Sequence, residues 1–223
     1  MAYVKNFFIL IGLFLLSQVS MTVFQVAKMM SMQSGAQQLS LGMTLVTLLV
    51  IIGNCWLLIF IGKKLGFVTF RWDFLTKTNT WLIIGGFILA RVIAIVGTLL
   101  LNIQGKASTN NDETIQLLFK GENPLLIILL IGVSAPIMEE IVFRGGIIGL
   151  WLKKFPMLGI AVSSICFGLV HGPTDVISFL IYGSMGLILA YAYYKTQRIE
   201  VSMSIHFLNN ILPAIILALG YVS

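Results

Sequence analysis

The hydrophobic pattern of this chain consists of long apolar runs separated by short polar segments. Uncharged runs of about 20 residues are typical of helices that cross a lipid bilayer. The longest polar stretch, Gln104 to Asn123, is predicted to be a loop with one short helical turn near residues 114–118. The pattern predicts seven membrane spans, at residues 6–27, 41–62, 80–102, 124–152, 157–171, 176–194 and 201–221.

Composition places the chain among membrane proteins. Hydrophobic residues make up 58% and charged residues 10% of its 223 residues, and the mean hydropathy is +1.01, which excludes a soluble domain. We predict an all-α polytopic transmembrane helix bundle of about seven to eight spans, forming a single integral membrane domain over residues 1–223. The first run follows Lys5 like the apolar region of a signal peptide, but it continues through Val26 without a clear cleavage site, so we expect a retained span. Cys55 and Cys166 lie inside apolar runs and give no information about disulfides.

The basic residues predict the orientation of the bundle. A cytoplasmic N-terminus places nine of the 14 lysines and arginines inside, three outside and two within spans, as the positive-inside rule requires. The nine are Lys5, Lys63, Lys64, Arg71, Lys77, Lys153, Lys154, Lys195 and Arg198. The net charge of +6 is therefore interpreted as a topology signal and a contact for anionic lipids, not as a nucleic-acid footprint. The aromatic-rich segment Lys63 to Lys77, which includes Phe67, is expected to lie along the cytoplasmic interface.

Three charged residues, Glu139, Glu140 and Arg144, lie near the middle of the fourth run. Charges at that depth are costly and are kept mainly where they face a protein interior or a water-filled cavity. Glu140 and Arg144 are four residues apart on one helical face, which favours an ion pair. Glu139 points about 100° away around the helix and has no partner on its own turn. We interpret Glu140–Arg144 as a structural clamp and Glu139 as the chemical group.

The two histidines of the chain both lie in or at the edge of apolar runs. His171 follows Phe167 by four residues and His206 precedes Asn210 by four, so that each pair shares a helical face. Glu139, His171, His206 and Asn210 together form a candidate hydrolytic centre. A carboxylate can act as a general base with the help of one histidine, while a His/Asn pair can donate hydrogen bonds to an oxyanion.

The patterns Glu-Glu-x-x-x-Arg, Phe-x-x-x-His and His-x-x-x-Asn, in this order on separate apolar helices, resemble the three motifs of a known protease family. This is the CPBP (CAAX protease and bacteriocin-processing, or Abi) family of intramembrane proteases. The resemblance implies an endopeptidase that cleaves membrane-associated peptides or proteins, in CAAX-type or leader- or bacteriocin-type processing. It also implies that Glu139 and His171 activate water, that His206 and Asn210 hold the oxyanion, and that the Glu140–Arg144 pair positions the site.

The resemblance covers the C-terminal half of the chain. Residues 124–221 carry the three motifs, whereas residues 1–120 match only as generic, variable membrane helices. The family core is usually drawn with eight helices, one more than the runs counted here.

A metal-dependent mechanism competes with the glutamate-type one. Glu139, His171 and His206 could form a carboxylate–His–His set for a divalent metal such as zinc, with an open fourth position. The chain has no His-Glu-x-x-His motif, and these ligands would come from three separate helices, so we favour the metal-free mechanism, which requires no cofactor.

Depth counting creates a difficulty for any site built from these residues. It places Glu139 near the middle of the membrane, His171 near the outer edge and His206 nearer the inner edge, so they would not meet in straight, upright helices. Helix tilt, a break near Pro173 or Pro213, or a different number of spans would be needed to bring them together.

Other functions remain as alternatives. An isolated histidine in a membrane helix is more often an interhelical hydrogen-bonding group, and Arg91 is expected to snorkel or to pair with a loop acid. A proton-coupled transporter would use a Glu-Glu-Arg cluster as a relay, but it would also predict inverted repeats, and none is visible. A non-enzymatic membrane partner or bacteriocin self-immunity protein could keep the protease fold. The joint occurrence of three motifs favours a protease whose partners are the bilayer and a membrane peptide or protein. The sequence leaves open the substrate, its cleavage site, whether it is prenylated, and the oligomeric state of the protein.

Overall fold

The computed structural model describes residues 2–220, and eight helices of ten residues or more make up most of that range. They are α1 (Ala2–Gln33), α2 (Leu41–Lys64), α3 (Lys77–Ile103), α4 (Asn110–Phe119), α5 (Pro124–Trp151), α6 (Pro156–Val170), α7 (Val176–Thr196) and α8 (Ile199–Ala218). Six of them are long and apolar enough to cross a membrane, and α6 is a shorter apolar helix. The predicted all-α bundle is confirmed, because each predicted span falls on one of these seven apolar helices. The remaining helix, α4, is polar and, with ten residues, longer than the single turn expected there.

The helices begin where the sequence supplies capping side chains. Thr76 precedes α3, and its hydroxyl oxygen accepts a hydrogen bond from the backbone N–H of Asn79 at 3.2 Å. Asp175 precedes α7 and accepts from the backbone N–H of Ser178 at 2.8 Å. Such side chains satisfy the backbone donors that the first turn of a helix leaves free. The chain leaves α2 at Gly66, whose φ of +80° is accessible to glycine at little cost.

Helix α5 is the centre of the bundle and the most buried of the six candidate spans. It packs against α1, α2, α6, α7 and α8. Two π-helical stretches, Ile128–Ser134 and Ile141–Trp151, enclose the α-helical segment Ala135–Glu140. Stretches with i→i+5 hydrogen bonds are rare and occur frequently at functional sites. The adjacent glutamates of the sequence motif therefore lie between two widened parts of the central helix.

Two apolar cores hold the helices together. The larger core joins α5, α6, α7 and α8 around Phe167, whose side chain is fully buried. The smaller core joins α1, α4 and α5, and in it the rings of Phe24 and Phe119 stack with centroids 4.4 Å apart. Stacked aromatic pairs stabilise a contact beyond the area they bury, so Phe119 fastens the end of the polar helix α4 to the membrane bundle.

The segment between α2 and α3 departs from the expected interfacial position. Phe67 is buried, not exposed to the interface; its ring lies against Gly145 of α5 and its Cβ atom lies near Gly149. A Cβ atom at position 145 would overlap that ring, so glycine creates the opening that admits it. Trp72, in contrast, is 86% exposed, and its location at the membrane interface stays a prediction.

Polar contacts close both ends of the bundle. At one end, Glu200 of α8 accepts a hydrogen bond from the backbone N–H of Arg71 and pairs with Arg198 at 3.0 Å. At the other end, the buried Lys28 of α1 pairs with Glu122 at 2.5 Å, next to the start of α5. Which end faces the cytoplasm stays a prediction from the basic residues.

Candidate active site

The Glu140–Arg144 pair forms the innermost, buried part of the candidate site. Arg144 Nη1 lies 3.1 Å from Glu140 Oε1, and both side chains have no exposed surface, so the ion pair predicted from their spacing is confirmed. Arg144 Nη2 donates a hydrogen bond to the carbonyl of Gly186 on α7 at 2.9 Å. The guanidinium also lies over the Phe167 ring, 4.6 Å from its centroid, a cation–π contact that is strongest where water is excluded.

His206 connects this pair to the third sequence motif. Its Nδ1 lies 2.9 Å from Glu140 Oε1, and its Nε2 lies 3.8 Å from Glu139 Oε2. Because the Glu140 carboxylate beside Arg144 acts as an acceptor, we assign a proton to His206 Nδ1. Nε2 therefore faces Glu139. The contact joins residues 66 positions apart, which the sequence analysis did not predict.

Glu139 is the accessible member of the glutamate pair. Its side chain is 27% exposed, whereas that of Glu140 has no exposed surface. Within residues 2–220, five buried side-chain atoms have no hydrogen-bond partner in the protein, and four of them are Glu139 Oε2, Glu140 Oε2, Arg144 Nε and Arg144 Nη1. Buried polar atoms are normally paired. These four atoms belong to three neighbouring residues of α5, and of the three only Glu139 has a partly exposed side chain on which water could act.

His171 lies at the C-terminal end of α6 and is held by its neighbours. Its Nδ1 lies 2.7 Å from the carbonyl oxygen of Phe167, which can only accept, so Nδ1 carries the proton and Nε2 is free to act as a base. No hydrogen bond or ion pair joins His171 to Glu139. The ring also stacks on Tyr182 of α7, a neighbour that no motif in the sequence indicated.

The depth difficulty is resolved in part. His206 approaches Glu139 directly, and α8 continues through Pro213 without a break. His171 is linked to His206 through the Phe167 ring, whose centroid lies 4.6 Å from the ring of His171 and 5.6 Å from that of His206. The structure thus brings the three motifs together around Phe167, a residue that the sequence analysis treated only as a helical neighbour of His171.

Asn210 of α8 contacts α5 at a backbone carbonyl that a proline leaves without a donor. Pro136 has no N–H, so in the π register of α5 the carbonyl of Ile131, five residues earlier, lacks a backbone donor. Asn210 Nδ2 donates to that carbonyl at 3.4 Å. The amide has a second N–H, which has no protein partner among the described contacts.

Arg91 and Asn209 form a contact that the sequence analysis missed. Arg91 Nε of α3 donates to Asn209 Oδ1 at 2.7 Å. The arginine, expected to snorkel or to pair with a loop acid, instead binds the asparagine next to Asn210. No spacing pattern within either helix indicates this pair, because it links two helices 118 residues apart in sequence.

The proposed metal ligands do not form a ligand set in this structure. Within the part of the chain that the structure describes, no three His, Cys, Asp or Glu side chains are grouped closely enough to hold a metal ion. His206 and Glu139 approach each other, but His171 is turned towards Phe167 and Tyr182. We therefore derive no step through a metal.

Comparison with known families identifies the C-terminal half. Residues 121–212 match the family model described as type II CAAX prenyl endopeptidase Rce1-like. All six predicted site residues lie in the matched segment. The matched segment, which is less than half of the chain, is similar to the CPBP family. The resemblance inferred from the three motifs is thereby confirmed.

Three curated relatives are similar to parts of this chain. UPF0177 protein YvdC of Lactococcus lactis is 30% identical over 135 residues, covering 60% of this chain and 51% of the relative. Putative membrane peptidase YdiL of Bacillus subtilis is 38% identical over 87 residues, covering 38% and 34%. Membrane-embedded CAAX protease MroQ of Staphylococcus aureus is 26% identical over 137 residues, covering 58% and 54%. The chain thus spans between a third and somewhat over half the length of these relatives, and no solved structure matches it.

Proposed function

We propose that this protein is an intramembrane endopeptidase of the CPBP family that hydrolyses a peptide bond of a membrane-associated peptide or protein with a glutamate-activated water. The observation that carries the proposal is the partly exposed Glu139 carboxylate, which lies beside the buried Glu140–Arg144–His206 cluster. The family match and the relatives named as membrane peptidase and CAAX protease support hydrolysis of peptides.

In the first step, Glu139 accepts a proton from water while the hydroxide forms a bond to the carbonyl carbon of the substrate. Glu139 suits this role because its ionised form has no ion-pair partner on its own helical turn, whereas Glu140 is already bound by Arg144 and His206. His171, whose ring is linked to that of His206 through the Phe167 ring, presents Nε2 and helps to orient the same water. A positioned acid or base of this kind typically contributes about 10²–10⁴ in rate.

His206 and Asn210 stabilise the oxyanion in this mechanism. Because Nδ1–H of His206 is donated to Glu140, the mechanism assigns the hydrogen bond to the oxyanion to an N–H at His206 Nε2. The second N–H of Asn210 supplies the other hydrogen bond.

The tetrahedral intermediate then collapses with cleavage of the C–N bond. The proton held by Glu139 passes to the leaving nitrogen, which regenerates the carboxylate and balances the reaction. Glu140 and Arg144 take no part in proton transfer; they hold His206 and α7 in place through the contacts with His206 Nδ1 and the Gly186 carbonyl.

The decisive experiment measures hydrolysis of a membrane-peptide library by purified protein in detergent. The library contains prenylated CAAX-type peptides and unmodified leader-type peptides, so the same assay identifies the substrate class. Glu139→Gln keeps the shape of the side chain but removes its basicity, and we expect it to fold normally and to fall below detection. Glu113→Gln, on the exposed face of α4, is the matched control and should retain wild-type turnover.

Two results would contradict the proposal. An active Glu139→Gln enzyme would remove the general-base role. A wild-type enzyme that a chelator inactivates, with metal lost from the protein in step with activity, would replace the glutamate-type mechanism with the zinc alternative.

A further inference from the structure

The imidazole of His171 is held between two aromatic rings. The Phe167 ring lies 4.6 Å away at an interplanar angle of 41°, and the Tyr182 ring lies 4.2 Å away and nearly parallel, at 14°. The hydrogen bond from Nδ1 to the Phe167 carbonyl fixes one edge of the imidazole. That hydrogen bond alone would still allow the ring to rotate and Nε2 to change direction, and the flat contact with Tyr182 opposes this rotation.

Tyr182 is itself held by residues outside the bundle. Its hydroxyl donates to Asp112 Oδ1 at 2.9 Å, accepts from Asn111 Nδ2 at 3.1 Å and lies 2.9 Å from Thr109 Oγ1. The Asp112 carboxylate also accepts from the Thr109 hydroxyl at 2.8 Å. All three partners belong to the first turn of α4 and its cap. The orientation of Tyr182 is therefore set by a polar helix at the end of the bundle.

Helix α4 and the loop before it have firm attachments that make such an anchor effective. Lys106 pairs with Asp175 at 2.6 Å, and Asp175 is the N-cap of α7, the helix that carries Tyr182. The hydrogen bond from the Lys106 ammonium group, together with the Ser178 N–H, lowers the pKa of Asp175 to about 2, so this pair is charged at neutral pH. At the other end of α4, Phe119 is fully buried against Phe24.

We infer that Tyr182, anchored by Asp112, is a positioning residue that keeps His171 Nε2 directed at the reacting water. A hydroxyl is not needed to fill this space, since phenylalanine has the same ring. The three polar contacts are explained if the ring must keep one orientation. The inference rests on the proposed peptidase function, in which His171 is a catalytic residue.

The kinetic test compares Tyr182→Leu, Tyr182→Phe and Asp112→Ala with wild type on the same peptide. Tyr182→Leu removes the stacked ring, and because a misplacement of about 1 Å can cost about 10²-fold, we expect kcat to fall by up to about 100-fold with little change in KM. Tyr182→Phe keeps the ring but loses the hydroxyl contact with Asp112, so its kcat should lie between those of wild type and Tyr182→Leu. Tyr182→Phe and Asp112→Ala remove the same anchor, so the double variant should be no slower than either single variant. Tyr191→Leu, an exposed tyrosine on the same helix, is the control.

A spectroscopic test is independent of turnover. The chain has two histidines, so histidine-selective labelling gives two imidazole signals, assigned with His171→Ala. In Tyr182→Leu the His171 signal should shift, because the ring current of the stacked tyrosine is lost, while that of His206 stays in place.

The outcomes separate this inference from the proposed function. A folded Tyr182→Leu with wild-type kcat and an unchanged His171 signal overturns it. If Tyr182→Leu does not fold, Asp112→Ala decides, and a wild-type kcat in that variant overturns the anchoring role. A wild-type protein without peptidase activity rejects the proposed function; the His171 signal of Asp112→Ala, which keeps the tyrosine ring but removes its anchor, then decides the anchoring role, and an unshifted signal overturns it.

Discussion

Glu140 and His206 share a hydrogen bond of 2.9 Å between Oε1 and Nδ1, deep inside the bundle. The same carboxylate oxygen lies 3.1 Å from Arg144, so one atom joins the first sequence motif to the third. This explains why two adjacent glutamates have different environments. Glu140 is committed to holding His206 and Arg144, and Glu139 is left to face the accessible side of the site.

Replacement of Arg144 by alanine should destabilise the fold. It leaves Glu140 charged and unpaired in a site without exposed surface, and breaking a buried pair costs about 3–5 kcal/mol. Thermal unfolding in detergent and the yield of folded protein measure the effect. Arg71→Ala is the control, because Arg71 pairs with Asp73 on exposed side chains, where such a pair contributes about 0–1 kcal/mol. Equal unfolding temperatures for the two variants would remove the structural role of the clamp.

The apolar pattern was sufficient to predict the bundle, because a membrane imposes the length and polarity of each span. The Glu140–Arg144 pair was predictable from helix geometry. A separation of four residues brings both side chains to one helical face, and the structure shows the ion pair that this spacing favours. The contacts of His206 with Glu140 and of Arg91 with Asn209 were not predictable. They join different helices, and their geometry depends on packing and on the π-helical register of α5, neither of which leaves a periodic signal in one sequence.

The second prediction concerns the opening in α5 that admits Phe67. Gly145→Ala places a methyl group against the Phe67 ring, and overpacking of this kind costs about 1–3 kcal/mol. Phe67→Ala creates a cavity and destabilises by itself. Because the two residues are in direct contact, the double variant should be more stable than the sum of the single effects predicts. Thermal unfolding of wild type, the two single variants and the double variant gives a double-mutant cycle. Strictly additive losses of stability would show that the two residues do not interact.

The third prediction is the topology that the basic residues indicate. Lys64 at the end of α2 is expected inside and Ser108 before α4 outside, because nine basic residues fall on the predicted cytoplasmic side. Single cysteines at these positions, in a chain where Cys55 and Cys166 are replaced by alanine, should react with an impermeant thiol reagent from opposite sides of the membrane. Labelling of Ser108→Cys only after permeabilisation, with Lys64→Cys labelled in intact cells, would reverse the orientation.

The fourth prediction separates two roles of Asn210. As an oxyanion donor it is needed only when charge develops, so Asn210→Ala should lower kcat by about 10²–10³ with KM little changed. The same variant removes the donor to the Ile131 carbonyl, and an unpaired buried carbonyl costs about 1–3 kcal/mol of stability. Pro136→Ala restores a backbone N–H for that carbonyl. The double variant Pro136→Ala/Asn210→Ala should therefore regain stability while kcat stays low, measured against Pro136→Ala alone. Recovery of kcat together with stability would show that Asn210 serves only to pair the backbone of α5.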